Sequence, residues 1–347
     1  MQTIIGWDIG GAHLKAARVE NGRVTVAASI ACPLWQGLAQ LDCAFAQARA
    51  LVGEAGTHAV TMTGELCDAF PSREAGVIGL AARAAAEFPA AHLQLYAGRA
   101  GFVPLQSASA HAGDIASANW HASAALAALR HADAILIDMG STTTDLIPII
   151  AGHVAPRGYG DATRAENGEL VYTGLVRSFV MALADRAPFA GKWSVLMNEY
   201  FASSADIHRI LGQLPEGADV MASADGRDKT LAASTARLAR MIGRDAADAP
   251  QAAWQNLAAW FAEAQMRSLA DAAHQVISRH DVTHDAPVIC AGIGRGVVRR
   301  LAARLGRSAI DFDTLVDVAP AARNGASDCA PAVAVALLLA HKAVTLY

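Results

Sequence analysis

An aspartate that ends a short apolar run and is followed by two glycines and then a lysine can hold a metal-bound phosphate. Residues Asp8-Ile9-Gly10-Gly11-Ala12-His13-Leu14-Lys15 have this form. Glycines in a tight strand-to-strand turn remove Cβ atoms and accept positive φ, so several backbone N–H groups can converge on one anion. Asp8 is placed to hold Mg2+, an ion that keeps waters and binds through one or two carboxylates together with phosphate oxygens. Side chains two apart on a strand share a face, so His13 and Lys15 point the same way and Lys15 can reach the same anion.

The pattern returns as Asp138-Met139-Gly140-Ser141-Thr142-Thr143-Thr144-Asp145, an offset of 130 residues (138 less 8). Gly140, the hydroxyls of Ser141, Thr142 and Thr143, and the backbone N–H groups around them can hold a second phosphate, with Asp138 facing Asp8 across a cleft. Either string alone also reads as an ordinary turn, a glycine hairpin with a solvated lysine or a polar Ser/Thr turn. Together they favour a metal-diphosphate site. A third glycine turn, Ala291-Gly292-Ile293-Gly294, leads from a strand into a helix, where a nucleotide or another flat group can approach the backbone.

The elements that must position these residues are legible from periodicity. Apolar runs at 3–9, 14–19 and 24–30, separated by the glycine turn and by Asn21-Gly22, predict an antiparallel meander. Helical spacing follows at 37–52, a compact strand at 58–62 and an Ala-rich helix at 74–87. The second aspartate turn joins apolar runs at 134–137 and 145–150. The offset is far too long for a solenoid repeat but suits two related α/β lobes. Residues 170–260 read as mostly helical, with amphipathic segments at 230–242 and 252–280 interrupted by the Pro/Gly/Asp-rich 214–227. A strand at 287–291, a helix at 296–305 and a closing helix at 331–341 complete the chain. The expected organisation is a first lobe over 1–125, joined by the closing helix 330–347, and a second lobe over 126–329 with a helical insertion at about 175–280.

Composition narrows the function classes. The 347 residues carry 28 Lys plus Arg against 32 Asp plus Glu, a net charge of −4, with 53% hydrophobic and 17% charged residues. No basic field suited to nucleic acid follows from that balance, nor the low hydrophobicity of a disordered chain. Cys32, Cys43, Cys67, Cys290 and Cys329 form no C-x-x-C pair and no zinc-ligand cluster, which predicts reduced and mostly buried thiols. The N-terminus lacks a basic segment followed by an apolar run and reads at once as a strand, so a cytoplasmic protein is expected. The most apolar stretch, 333–340, is less than half of the ~20 residues that a membrane span needs. His111, His121 and His131 are ten apart and match no metal spacing; His280 and His284 sit where a helix is expected to end. Trp254 and Trp260 are expected to pack the insertion.

The three glycine turns, in this order, resemble the two phosphate segments and the adenosine segment of the actin, sugar-kinase and heat-shock chaperone superfamily. The resemblance narrows at Thr61-Met62-Thr63-Gly64-Glu65-Leu66, at Gly168-Glu169-Leu170-Val171-Tyr172-Thr173-Gly174 with Arg164 before it and Arg177 after it, and at Ala330-Pro331-Ala332. Together these strings resemble the hydantoinase A/oxoprolinase-like family, in the branch linked to tetrahydromethanopterin-dependent one-carbon transfer, similar to the archaeal condensing enzyme of methanofuran biosynthesis. The implied fold is a duplicated actin-like (ribonuclease H-like) two-lobe α/β structure with a cleft between the lobes.

What the resemblance implies for activity is a transferase. An aminomethylfuran-methyl diphosphate is attacked by the phenol oxygen of a glutamyl-tyramine or tyrosine-type acceptor, which forms an ether and releases diphosphate. Asp8 and Asp138 would then hold Mg2+, and Lys15 and the loop amides would stabilise the leaving diphosphate. A phenol has a pKa near ~10, so a nearby carboxylate would help remove its proton at neutral pH. Glu65, which follows a strand and a glycine that would turn it toward the cleft, is the first candidate; Glu169 and Asp145 follow. Arg164, Tyr172 and Arg177, with His13, Gly292 and Gly294, would contact substrate. Two other readings stand beside this one: an ATP-dependent hydrolase or kinase using the same loops for nucleotide phosphates, and a non-catalytic nucleotide switch. The expected partners are small molecules, a homodimer being compatible with the sequence.

Overall fold

The structure, a computed structural model, describes residues 2–54, 56–279 and 281–345, so His280 and the end of the expected closing segment lie outside the described residues. Three strands open the chain: β1 (Thr3–Ile9), β2 (His13–Glu20) and β3 (Arg23–Ala31), all antiparallel. Asn21 and Gly22 turn β2 into β3 with φ of 50° and 83°, the left-handed pair that a two-residue hairpin favours. Next come α1 (Ala39–Val52), β4 (Thr57–Met62), α2 (Arg73–Glu87), β5 (Leu93–Tyr96) and β6 (Phe102–Pro104). The resulting sheet has the order β3-β2-β1-β4-β5-β6, with β4 parallel to β1. Six of the seven β1 residues are buried, which is why β1 reads as a continuous apolar run rather than an alternation. Two helices close the unit, α3 (Ala112–Ile115) and α4 (Asn119–Ala128).

The plan then repeats. β7 (Ala134–Met139) and β8 (Thr144–Ile150) form the second antiparallel hairpin, extended by β9 (His153–Val154), α5 (Asp161–Glu166) and β10 (Leu170–Val171). Much later, β13 (Val288–Ala291) adds parallel to β7 and leads through α9 (Arg295–Arg304) into β14 (Ala309–Asp311), giving the order β10-β8-β7-β13-β14 with β9 against β8. In both sheets the first strand pairs with its hairpin partner on one side and with a later parallel strand on the other. The duplicated two-lobe α/β fold expected from the recurring aspartate turns is present.

Between β10 and β13 lies the insertion: the hairpin β11 (Arg186–Phe189) and β12 (Lys192–Val195), then α6 (Ser204–Ile210), α7 (Leu231–Arg240) and α8 (Gln251–Ile277). The expectation of a mostly helical stretch over 170–260 is corrected here. Strands of four residues are too short to show a period, and their turn, Ala190-Gly191 with φ of 49° and 73°, carries a weak sequence signal because alanine rarely adopts that conformation. Trp254 is buried in the insertion's core and stacks on Phe189 at 4.7 Å, whereas Trp260 is only partly buried.

The chain ends with α10 (Arg323–Asp328) and α11 (Ala330–Thr345). α11 returns to the first sheet and packs on β1, β2 and β4, while α4 crosses to pack on β7, β8 and β9; the two helices also pack on each other. The contact with β1 is close enough that a Cβ on Gly6 would lie 1.9 Å from the Ala332 carbonyl oxygen. One apolar cluster therefore runs from Ile4 and Val19 through Trp120 and Val333 to Leu136 and Ile289. Cys32, Cys290 and Cys329 are buried, Cys67 is half-buried and Cys43 is exposed. No helix among the described residues is long and apolar enough to cross a membrane.

Candidate active site

The ends of β1 and β7 face one cavity of about 380 Å3, and both aspartate turns line it. The turns are built alike. The Gly10 N–H donates to the His13 carbonyl at 2.9 Å, and the Gly140 N–H donates to the Thr143 carbonyl at 2.9 Å. Strand pairing places Asp8 opposite Lys15 and Asp138 opposite Asp145. Each bend leaves N–H groups with no backbone acceptor among the described residues, those of Gly11 and Ala12 in one and of Ser141 and Thr142 in the other. These are free donors at the wall of a cavity.

Asp8, Lys15 and Asp138 lie deep in it. Lys15 Nζ is 3.5 Å from Asp8 Oδ2, and Asn119 Nδ2 donates to the same oxygen at 3.5 Å, while Asp8 Oδ1 is buried without a partner among the described residues. Burial pushes both carboxyls upward, Asp8 against the pull of Lys15 and Asn119, and Asp138 to about 7 against the pull of Lys15. Burial opposes the charge of Lys15, but Asp8 and Asp138 outweigh it and raise the ammonium above its ordinary value. His13 is lowered to about 4 by burial and by the positive charges of Lys15 and Arg177, so it is neutral at pH 7. Among the described residues no group of three or more His, Cys, Asp or Glu converges to enclose a metal. A pair of carboxylates with one unused buried oxygen, beside free N–H donors, fits an ion such as Mg2+ that takes most of its ligands from water and phosphate.

The second hairpin carries an aspartate where the first carries Lys15, so its neutralising charge comes from elsewhere. Arg164, 1% exposed, donates from Nη2 to Asp145 Oδ1 at 2.6 Å and to the Glu169 carbonyl at 3.0 Å, and its guanidinium lies 4.2 Å from the Trp120 ring centroid. Arg164 and Asp145 both line the cavity as a pair already joined. The 168–174 string supports the second turn. A Cβ on Gly174 would lie 2.6 Å from the Ser141 carbonyl and the Thr142 nitrogen, and the N–H groups of Leu175, Val176 and Arg177 donate to the carbonyls of Gly140 and Ser141.

Several predicted residues stand elsewhere than the sequence suggested. Glu169 is fully buried outside the cavity, where its carboxylate accepts the N–H groups of Arg157 at 2.6 Å and Gly158 at 3.0 Å. Glu65 is likewise fully buried and does not line the cavity; the residue between is Ser117, whose Oγ donates to Glu65 Oε1 at 2.7 Å. Gly64 does not turn it toward the cleft, because the N–H groups of Thr63 and Gly64 both donate back to the Ile9 carbonyl. Of the third glycine turn only Ile293 lines the cavity. Gly292 is there because a Cβ would lie 2.3 Å from Asp138 Oδ1 and the Met139 carbonyl, and Gly294 because one would lie 2.5 Å from the Met139 side chain. Tyr172 is exposed at the cavity mouth, and Arg177 lies over the Trp35 ring at 4.7 Å. Sequence reading missed Ser117, Asn119, Trp120, Asp161 and Asp328, all of which line the cavity and none of which sits in a recognisable string.

The hydantoinase/oxoprolinase family model matches residues 56–339. A curated relative from Methanocaldococcus jannaschii, named (4-{4-[2-(gamma-L-glutamylamino)ethyl]phenoxymethyl}furan-2-yl)methanamine synthase, is 32% identical over 243 residues, which is 70% of this chain and 72% of the relative. A protein of the same name from Methanococcus vannielii is 34% identical over 111 residues, 32% of this chain and half of the relative. Among solved structures, nucleotide-free acetone carboxylase superposes with a TM-score of 0.55 at 12% identity, covering 96% of this chain and 70% of that one.

Proposed function

This chain belongs to the hydantoinase/oxoprolinase family, and we propose that within it the protein is a transferase joining a furan-methyl diphosphate to a phenol with release of diphosphate. The name of the relatives describes a furan-methanamine carrying a phenoxymethyl ether and a glutamyl amide. Of the bonds in such a molecule, the aryl ether is the one formed when a phenol displaces diphosphate from the furan methylene. The observation that carries the reading is that both glycine turns open into a single cavity with Asp8, Lys15 and Asp138 deep inside it.

In the proposed reaction the phenol oxygen bonds to the methylene as the methylene's bond to diphosphate breaks, and the electron pair leaves with the diphosphate. The furan oxygen stabilises positive charge at the methylene, so the heavier demand falls on the leaving group. Lys15, held by Asp8, and the free N–H groups of Gly11, Ala12, Ser141 and Thr142 are fixed donors for that charge, in place before the bond breaks. Mg2+ held by Asp8 and Asp138 would add neutralisation of the diphosphate oxygens. At the mouth, Arg177 makes no ion pair among the described residues and is available to a glutamyl carboxylate, beside the exposed Tyr172 ring. Gly292 and Gly294 pack against Asp138 and Met139 and do not line the cavity, which favours a ligand without a nucleoside.

The test is to mix purified protein, Mg2+, an aminomethylfuran-methyl diphosphate and glutamyl-tyramine without nucleotide. Equal amounts of diphosphate and of the aryl ether are expected. Product that appears only when ATP is added and consumed would overturn the reading in favour of an ATP-dependent enzyme.

A further inference from the structure

Glu65 is a fully buried carboxylate with one oxygen, Oε2, that has no partner among the described residues. The positive charge that acts on it, Arg73, is already bound to Asp161 at 2.9 Å. Such a group is costly to keep without a task. It has one contact that leads to the cavity: Ser117, which lines the wall and donates its hydroxyl hydrogen to Glu65 Oε1 at 2.7 Å. Among the described residues Ser117 is also one of four non-glycine residues in the left-handed region, with φ of 52°. Backbone strain of this kind costs on the order of 1–3 kcal/mol, and here it aims a hydroxyl between a cavity and a sealed carboxylate. Because that hydroxyl hydrogen is committed to Glu65, Ser117 presents only lone pairs to a ligand, so it accepts a hydrogen bond. Two residues on, Asn119 donates to Asp8, so one short segment connects this pair with the site of the diphosphate.

We propose that Ser117 is the catalytic residue that takes the acceptor's proton, passing its own to Glu65. The inference rests on the transferase reading. As the phenol oxygen bonds to the methylene, its proton moves to Ser117 Oγ while the Ser117 hydrogen moves to Glu65 Oε1. The carboxylate ends neutral, the diphosphate carries away the electron pair, and the proton returns by the same two hops to water after the ether leaves. Burial raises Glu65 above the usual carboxylate range against the pull of the Ser117 hydroxyl and of Arg73, which makes it a stronger base than an exposed glutamate.

Ser117→Gly tests this, because glycine adopts φ of 52° without strain and the substitution removes the hydroxymethyl group that carries the relay oxygen. Relief of the backbone strain offsets the lost hydrogen bond to Glu65, so the variant's thermal midpoint should stay close to that of the parent. With glutamyl-tyramine, Ser117→Gly and Glu65→Gln should each lower kcat by about 10²–10³-fold, and the double variant should be no slower than the worse single one. With an acceptor whose phenol is acidified by ring fluorination, the loss should shrink to less than about tenfold, since little help with the proton is then needed. Equal losses for both acceptors, or losses that multiply in the double variant, would overturn the relay. Ether formation by the unaltered protein tests the transferase reading separately: its absence sinks that reading, whereas its presence with acceptor-independent losses sinks only the relay.

Discussion

Asp138 concentrates the electrostatic conflict of the site. Burial raises its carboxyl to about 7, Asp145 and Asp8 push in the same direction, and Lys15 alone pulls back. The folded protein therefore binds this proton more tightly than the unfolded chain, in which the ordinary value of 3.8 applies. Folding takes up a proton between those values, so this contribution to stability is complete below about pH 4 and is lost as pH rises through about 7. The difference amounts to at most about 4 kcal/mol, at 1.36 kcal/mol per pH unit. Asp138→Asn should remove it. Thermal midpoints of parent and variant, compared from pH 5 to pH 8, should diverge in favour of the variant at the higher pH; parallel profiles would show that Asp138 is ionised throughout. The same substitution also removes a proposed metal ligand, so its activity loss and its stability gain above pH 7 should appear together.

The elements explain why the second turn needs the string at 168–174. Gly174 approaches the Ser141 backbone so closely that any side chain must displace the turn. Gly174→Ala should lower kcat/KM by about 100-fold, the scale expected when reacting groups shift by about 1 Å, and should destabilise the fold by about 1–3 kcal/mol. Gly296→Ala in α9, where a Cβ would meet nothing within 4 Å, is the matched control and should be neutral or stabilising by about 0.5–1 kcal/mol. Equal activity losses in the two would refute the supporting role. The contrast between these glycines also marks what could be read in advance. The hairpins ending at Asp8 and Asp138 were legible because strand, aspartate, glycine and returning strand are contiguous, and the same hydrogen bond closes both bends. Glu65 was misplaced because its position depends on Ser117, 52 residues away, and on the bonding of Thr63 and Gly64 to Ile9. Asn119 was missed for the same reason, lying 111 residues from the aspartate it serves. Glu169 and Gly292 sit in suggestive strings, yet their chemistry is spent inside the protein, on Arg157 and Gly158 in one case and on close packing against β7 in the other. Local sequence shows which residue types are available, whereas burial and partners come from contacts between distant segments.

At the scale of the molecule, the exchange of α4 and α11 between the two sheets builds one shared apolar layer between the two lobes, beside the cluster that each lobe keeps on its outer face. The apolar cluster through Trp120 and Val333 is continuous from Ile4 to Ile289, so neither sheet can lose its packing without exposing the other's helix. Across the mouth of the cavity the lobes are tied more weakly. Arg73 bonds to Asp161 and Arg177 lies over Trp35, contacts that are partly exposed and worth about 0.2–1 kcal/mol each. A strong joint at the base and weak ties at the mouth are what a cleft needs if it is to admit a substrate and close on it. Calorimetry should then show a single unfolding transition, and Mg2+ with diphosphate should move it as a whole, since a ligand held by both turns binds neither lobe well when the other is unfolded. At 100 times the dissociation constant the gain should be about 2.7 kcal/mol. Two resolved transitions, only one of them shifted by the ligand, would mean that the turns act separately, and the site proposed between them would not exist.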